Sequence, residues 1–214
     1  MGQGAMHDNL ILPIEPVGVL GAKPNVDLGN VPIMVSPLEL LDGCIHALTC
    51  IGPASKEMSR HYWREPLVLE VLHDEEVDLC GVLLVGSPQI NSEKFYVSKR
   101  VGMIIEALDV DGAFVTTEGF GNNYIDFASH IEQIGMRGIP VVGMSFCAVQ
   151  GDLVVGNKYM THIVDNNKSE AGIENEVLGC NTLCHEDAIR ALYMLKTEIA
   201  GESVAKPEKN GIQM

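Results

Sequence analysis

A chain of 214 residues with 46% hydrophobic and 20% charged side chains can form one sizeable domain, with or without a smaller appendage, and excludes bulk disorder. Acidic residues outnumber basic ones 29 to 14, and the resulting formal charge of −15 makes nucleic acid a poor partner and otherwise reads as solubility. No apolar run approaches the ~20 residues of a membrane span, and six cysteines are too sparse for a disulfide scaffold, which points to reduced thiols and a cytoplasmic location.

In chain order, residues 1–6 (MGQGAM) lack the basic and apolar regions of a secretory signal and read as an expression scar. Residues 7–65 form an extension. LILPIEPVGVLGAKPNVDLGNVPIMVSP is rich in Pro and Gly and suits irregular chain with short strands. SPLELLDGCIHALTCIGPASKEMSRHYWRE then reads as two helical pieces broken at Gly52-Pro53, because proline lacks an amide proton and disfavours helix in the residue before it.

Residues 66–200 read as an α/β domain. LVLEVL (67–72) and VDLCGVLLVG (77–86) are short runs rich in Val and Leu and predict strands, with Cys80 in the core. From Ser92, a fitting N-cap, Val97, Val101, Ile104, Ile105 and Leu108 recur at helical spacing. GAFVTT (112–117) predicts a strand. Residues 122–136 carry Ile125, Ala128, Ile131 and Ile134 on one helical stripe, stopped by Gly138. IPVVGMSF (139–146) predicts a buried strand and DLVV (152–155) a last one; a polar loop runs through 165–176, and a helix covers about 186–199. Residues 201–214 read as a flexible tail. Alternation of this kind predicts a mainly parallel, doubly wound (Rossmann-like) sheet.

Ligands of such sheets lie beyond the carboxyl ends of the strands. Three segments meet that condition: Gly86–Gln89, Thr116–Asn123 and Ser145–Gln150. In the second, TTEGFGNNYIDF, Glu118 stands at the strand exit. Gly119 and Gly121 permit a tight turn, and the next helix offers unpaired N–H groups. Spacing alone is equally consistent with Asn122 or Asn123 capping that helix. A dinucleotide fingerprint fails, because Tyr124 stands where glycine or alanine is needed, and the phosphate-loop motif is absent.

Cys44, His46 and Cys50 form one Cys/His group, with His46 and Cys50 on one face if the segment is helical; Cys180, Cys184 and His185 form another. Neither has paired C-x2-C spacing, so packing is the preferred reading and no metal site is assigned. Cys147, near the third segment, is either a packed thiol or a nucleophilic or resolving one. Arg60 and His61, with Trp63 and Arg64, could receive a substrate carboxylate or form a solvated helix end. His130 stands one turn beyond Asp126, which sets an imidazole and an acid on one helix face.

The segments ILPIEPVGVLGAKP, SPLELLDGCIHALTC, GPASKE, TTEGFGNNYIDF, GIPVVGMSFCAVQG and NNKSEAGIENE together resemble the C-terminal, pyruvoyl-bearing part of D-proline reductase proproteins, over nearly all of residues 7–200. The E-G-F-G-N core is also similar to the alpha subunit of glycine, sarcosine and betaine reductase component B. The resemblance implies an oxidoreductase of amino-acid (Stickland) fermentation, opening D-proline reductively to 5-aminopentanoate. It implies a pyruvoyl group made by autocatalytic cleavage at a cysteine, a substrate iminium on that group, and attack by a selenocysteine of a separate subunit. The N-terminal chain of the same proprotein would be a further partner, and an oligomer is expected.

Within that resemblance Glu118 is the first choice for moving protons, with Cys147 and His130 as further catalytic candidates. Gly119, Gly121, Asn122 and Asn123 would hold substrate or a carbonyl oxygen, and Arg60 or His61 its carboxylate. The preferred pyruvoyl precursor lies upstream of His7. Cys50, preceded by Thr49, is the internal alternative, against which its helical setting and the shortened product weigh. Two other classes stay open: a non-catalytic paralogue for assembly or binding, and a Cys/His zinc or thiol enzyme.

Overall fold

The computed structural model describes residues 30–41, 46–51, 56–61, 66–117, 123–145, 155–165 and 184–205, with 40–41, 46–51, 56–61 and 202–205 described by their backbone alone. Strand β1 (Ile33–Val35) leads into a one-turn helix α1 (Pro37–Leu41). The turn is set by a reciprocal cap: Ser36 N donates to the Glu39 carboxylate at 2.7 Å, and Glu39 N to Ser36 Oγ at 3.3 Å. Strands β2 (His46–Ile51) and β3 (Lys56–His61) follow as an antiparallel pair, with His46 opposite His61 and Cys50 opposite Glu57.

Two expectations are corrected here. Residues 46–51 and 56–61 are extended rather than helical, so the helical spacing argued for His46 and Cys50 lapses. The expected break at Gly52-Pro53 lies outside the described residues. The run 67–72 is not a strand but the centre of helix α2 (Pro66–His73), whose Leu67, Val68 and Val71 are buried. Pro66 occupies the first helical position, where its fixed φ and missing N–H suit a helix start; the short apolar run by itself fits both periods.

Strand β4 (Val82–Leu84) keeps only the end of the expected 77–86 strand and pairs antiparallel with β1. Cys80 is accordingly exposed rather than in the core. Helix α3 (Asn91–Ala107) begins one residue before Ser92, capped by Ile90 without a side-chain hydrogen bond. Strand β5 (Ala113–Thr116), helix α4 (Asn123–Gly135) and strand β6 (Val141–Ser145) fall where the sequence places them. Gly138 closes α4 with φ of 73° and an N–H bonded to the Gly135 carbonyl at 2.9 Å. Strand β7 (Ile163–Asp165) was not foreseen, and most of the expected strand at 152–155 lies outside the described residues. Helix α5 (His185–Ala205) continues four residues past Gly201.

The sheet that organises the molecule is parallel, in the order β5-β6-β7, with Ala113 opposite Val141 and Gly143 opposite Ile163. Helices cover both faces. On one side α3 and α4 close over Val97, Val101, Val115, Phe127, Ile131, Ile134 and Val141. On the other, α2 and α5 close over Val142, Met144 and Val164 with Leu67, Val71, Ala188, Ala191, Leu192 and Leu195. Strand β6 supplies both cores by the two-residue alternation of a strand. Gly143 is required by packing, since a Cβ there would stand 2.6 Å from the Phe127 ring and 2.5 Å from Ile163 Cδ1.

The α/β class and the parallel sheet therefore stand. Double winding does not extend to the described residues: the three parallel strands follow chain order without reversal, and β4 joins β1 in a separate antiparallel pair.

Candidate functional site

The carboxyl ends of β4 and β5 and the first turns of α3 and α4 converge on a buried polar cluster. Ser87 comes from the Gly86–Gln89 segment, Lys94 from α3, and Asn123 and Asp126 from the opening turn of α4. Neither the Lys94 nor the Asp126 side chain retains any exposure, and they meet at 2.6 Å from Nζ to Oδ2. Lys94 Nζ also donates to Ser87 Oγ at 2.9 Å, and Ser87 Oγ donates to the same Asp126 Oδ2 at 2.5 Å.

Proton accounting orders the rest. Ser87 has a single hydroxyl proton, and the shorter contact assigns it to Asp126. Asn123 Oδ1 stands 3.0 Å from Ser87 Oγ as a second acceptor for the same hydroxyl. Asp126 Oδ2 is then doubly bonded, while Asp126 Oδ1 is buried and has no hydrogen-bond partner.

Burial pushes the Asp126 carboxyl above the ordinary carboxylate range, against the opposing pull of the hydrogen bonds from Lys94 and Ser87 and of the Lys94 charge. His130, one turn along α4, is buried with neither ring nitrogen bonded. Its pKa falls to about 3, first through burial and then through the nearby Lys94 charge, so it is neutral at physiological pH. Among the described residues two further buried hydroxyls lack partners: Ser98, one turn beyond Lys94, and Ser145, at the end of β6. Thr117 is buried at the end of β5, where its N–H bonds to the Met144 carbonyl at 3.0 Å.

Of the residues singled out in the sequence, Asn123 lies inside this cluster and His130 directly beyond it. Glu118, Gly119, Gly121, Asn122 and Cys147 lie outside the described residues, as do residues 146–150 of the third strand-end segment. Arg60 and His61 end strand β3, and Cys50 lies in β2, which removes the objection that a helix would oppose cleavage there. Cys184 precedes α5, where its N–H and its thiol both reach the Asp187 carboxylate at 3.1 Å. Of the other two residues in that Cys/His group, Cys180 lies outside the described residues and His185 pairs with Glu70 at 3.2 Å.

Sequence reasoning missed Lys94 and undervalued Asp126 and Ser87. A signal was present. Lys94 stands three and seven residues before Val97 and Val101, on the stripe that faces the core, and a lysine in that phase requires a buried counter-charge.

The sequence profile of glycine/sarcosine/betaine reductase component B subunits matches residues 25–156, a span that contains the whole Ser87–Lys94–Asn123–Asp126 cluster. The chain belongs to that family. It is 78% identical over 209 residues, 98% of its length, to the D-proline reductase proprotein PrdA of Acetoanaerobium sticklandii. It is also 28% identical over 142 residues, 65% of the chain and 31% of the relative, to the sarcosine reductase complex component B subunit alpha of Peptoclostridium acidaminophilum. The glycine reductase complex component B subunits alpha and beta of the same organism are 26% identical over 142 residues, again 65% of the chain and 31% of the relative. The chain spans 33% of the proprotein, so these similarities concern about a third of each curated relative. No solved structure matches. Among the described residues no helix is long and apolar enough to cross a membrane.

Proposed function

We propose that the chain is part of a D-proline reductase-type oxidoreductase that cleaves the carbon–nitrogen bond of a small cyclic amino acid, D-proline giving 5-aminopentanoate. The observation that carries this reading is 78% identity along essentially the whole chain to a D-proline reductase proprotein. A buried, charged cluster at the strand ends supports it, since that is where α/β proteins bind small ligands.

A pyruvoyl group, formed from Cys50 or from a cysteine preceding His7 in a longer precursor, would supply an electrophilic carbonyl that draws electrons from the substrate's carbon–nitrogen bond. The residues present fit such a group in one respect: the Ser145 hydroxyl is buried, unpartnered and a donor of the kind a carbonyl oxygen needs. Asn122 and Asn123 would hold the substrate or that oxygen. Glu118 would carry protons, with Cys147 and His130 as further candidates, and Arg60 or His61 would meet the carboxylate. A selenocysteine-containing subunit and the remaining chain of the proprotein are the proposed partners, in a cytoplasmic oligomer.

Glu118→Gln in the reconstituted reductase tests the assignment. Turnover is expected to fall at least tenfold with the thermal melting curve unchanged, and full turnover would remove Glu118 from the reaction. Intact-mass measurement separates the two precursor positions: a fragment beginning at residue 50 with a carbonyl in place of its amine establishes Cys50, and an uncut Thr49–Cys50 bond in active enzyme discards it.

A further inference from the structure

We propose that Asp126 is the amine-recognising residue of this site, its Oδ1 accepting an N–H of an amino-acid substrate while Lys94 and Ser87 hold Oδ2. The inference rests on the reading above and assigns one end of the substrate to a named atom. Its basis is the unequal use of the two carboxylate oxygens. Oδ2 is taken by Lys94 at 2.6 Å and by Ser87 at 2.5 Å, whereas Oδ1 is buried and bonded to nothing.

A buried acceptor left unbonded costs about 1–3 kcal/mol, a cost recovered when a donor arrives. Asp126 lies in the first turn of α4, at the same strand ends as Ser87, Thr117 and Ser145, so the open oxygen belongs to the ligand edge of the sheet. Lys94 and Ser87 are positioning residues: with both fixed on Oδ2, the carboxylate cannot rotate away, and Oδ1 remains the acceptor. Hydrogen bonds of this kind strengthen where water is excluded.

Charge narrows the ligand class further. Lys94 already neutralises Asp126, so the pair is electrically balanced before any ligand binds. A bare alkylammonium would bring an uncompensated positive charge into a dry site, which is costly. A zwitterionic amino acid carries its own compensation. The site therefore favours a ligand with both an N–H and a carboxylate over one lacking either.

The test measures binding of three probes to the full chain by calorimetry: D-proline, tetrahydrofuran-2-carboxylate (no N–H) and pyrrolidine (no carboxylate). Wild type is expected to bind D-proline at least tenfold more tightly than either analogue, and Asp126→Asn to lose the preference over the ether acid. Retention of that preference in folded Asp126→Asn overturns the assignment. Should Asp126→Asn fail to fold because Lys94 is stranded, the Lys94→Met/Asp126→Asn double variant restores charge balance. It is held to the same outcome: preference lost supports the role of Asp126, preference kept overturns it. Equal binding of D-proline and the ether acid by wild type overturns this inference alone. Binding of none of the three overturns the amino-acid reading as well.

Discussion

On the α2–α5 side of the parallel sheet the core is filled by aliphatic side chains and Met144, with Lys196 paired to Asp74 at its half-exposed edge. On the α3–α4 side an apolar cluster of similar make-up is interrupted by Lys94, Asp126, Ser98 and His130, all buried. The two faces share strand β6 and the same helical covering, so the difference is not one of architecture. A buried ion pair usually adds little net stability over apolar residues of equal volume, and unbonded hydroxyl and imidazole groups subtract from it. The α3–α4 face therefore gives up stability that the α2–α5 face keeps, through polar groups carried on α3 and α4.

The largest effect that would sharpen this contrast comes from splitting the ion pair. Lys94→Met leaves Asp126 buried and uncompensated and should cost about 3–5 kcal/mol in urea unfolding, while Lys94→Met/Asp126→Leu recovers most of it. A single variant as stable as wild type would break the comparison. On the opposite face, Leu192→Ala should cost about 2–5 kcal/mol by cavity formation, with ligand preference untouched. Loss of that preference would mean that the two faces are not functionally separate. Gly143→Ala should cost about 1–3 kcal/mol, because the added methyl meets Phe127 and Ile163.

Titration offers a subtler probe. His130 has its pKa lowered from 6.5 to about 3, so the unfolded chain binds the extra proton between those values and the native one does not. Stability should therefore rise with pH from about 3 to 6.5, and His130→Asn should flatten that rise. Asp126 acts with the opposite sign: its raised pKa means that the native state holds a proton longer, so its contribution declines as pH climbs above 3.8. Asp126→Asn should consequently steepen the wild-type rise, and a slope unchanged in both variants would show these groups to be hydrated. The smallest effect belongs to Lys196→Ala: Lys196 and Asp74 are partly exposed and Glu76 is exposed, so their pairing is weakened by solvent and its loss should scarcely move the melting temperature.

Much of the central fold was legible in the sequence. Helices α3 and α4 and strands β5 and β6 combine a clear period with glycine at or near their ends, and those local signals agree with the tertiary arrangement. The failures fall where local and global preferences part. LVLEVL satisfies a strand period but became α2, because its apolar face packs against α5. Residues 46–51 and 56–61 fall in a stretch that reads as helical yet pair with each other as strands.

What the sequence by itself determined is the α/β alternation and, through long stretches of similarity, the reductase family. Only the tertiary structure decided which residues meet in the buried polar cluster. Ser87, Lys94 and Asp126 are separated by up to 39 residues along the chain, and no local period records that a lysine on one helix answers an aspartate on the next. Their meeting is fixed by the packing of α3 against α4, close enough at Gly102 that an added Cβ would stand 2.8 Å from the Gln133 carbonyl. Long-range electrostatic pairing follows from that packing, and so does the one carboxylate oxygen it leaves free.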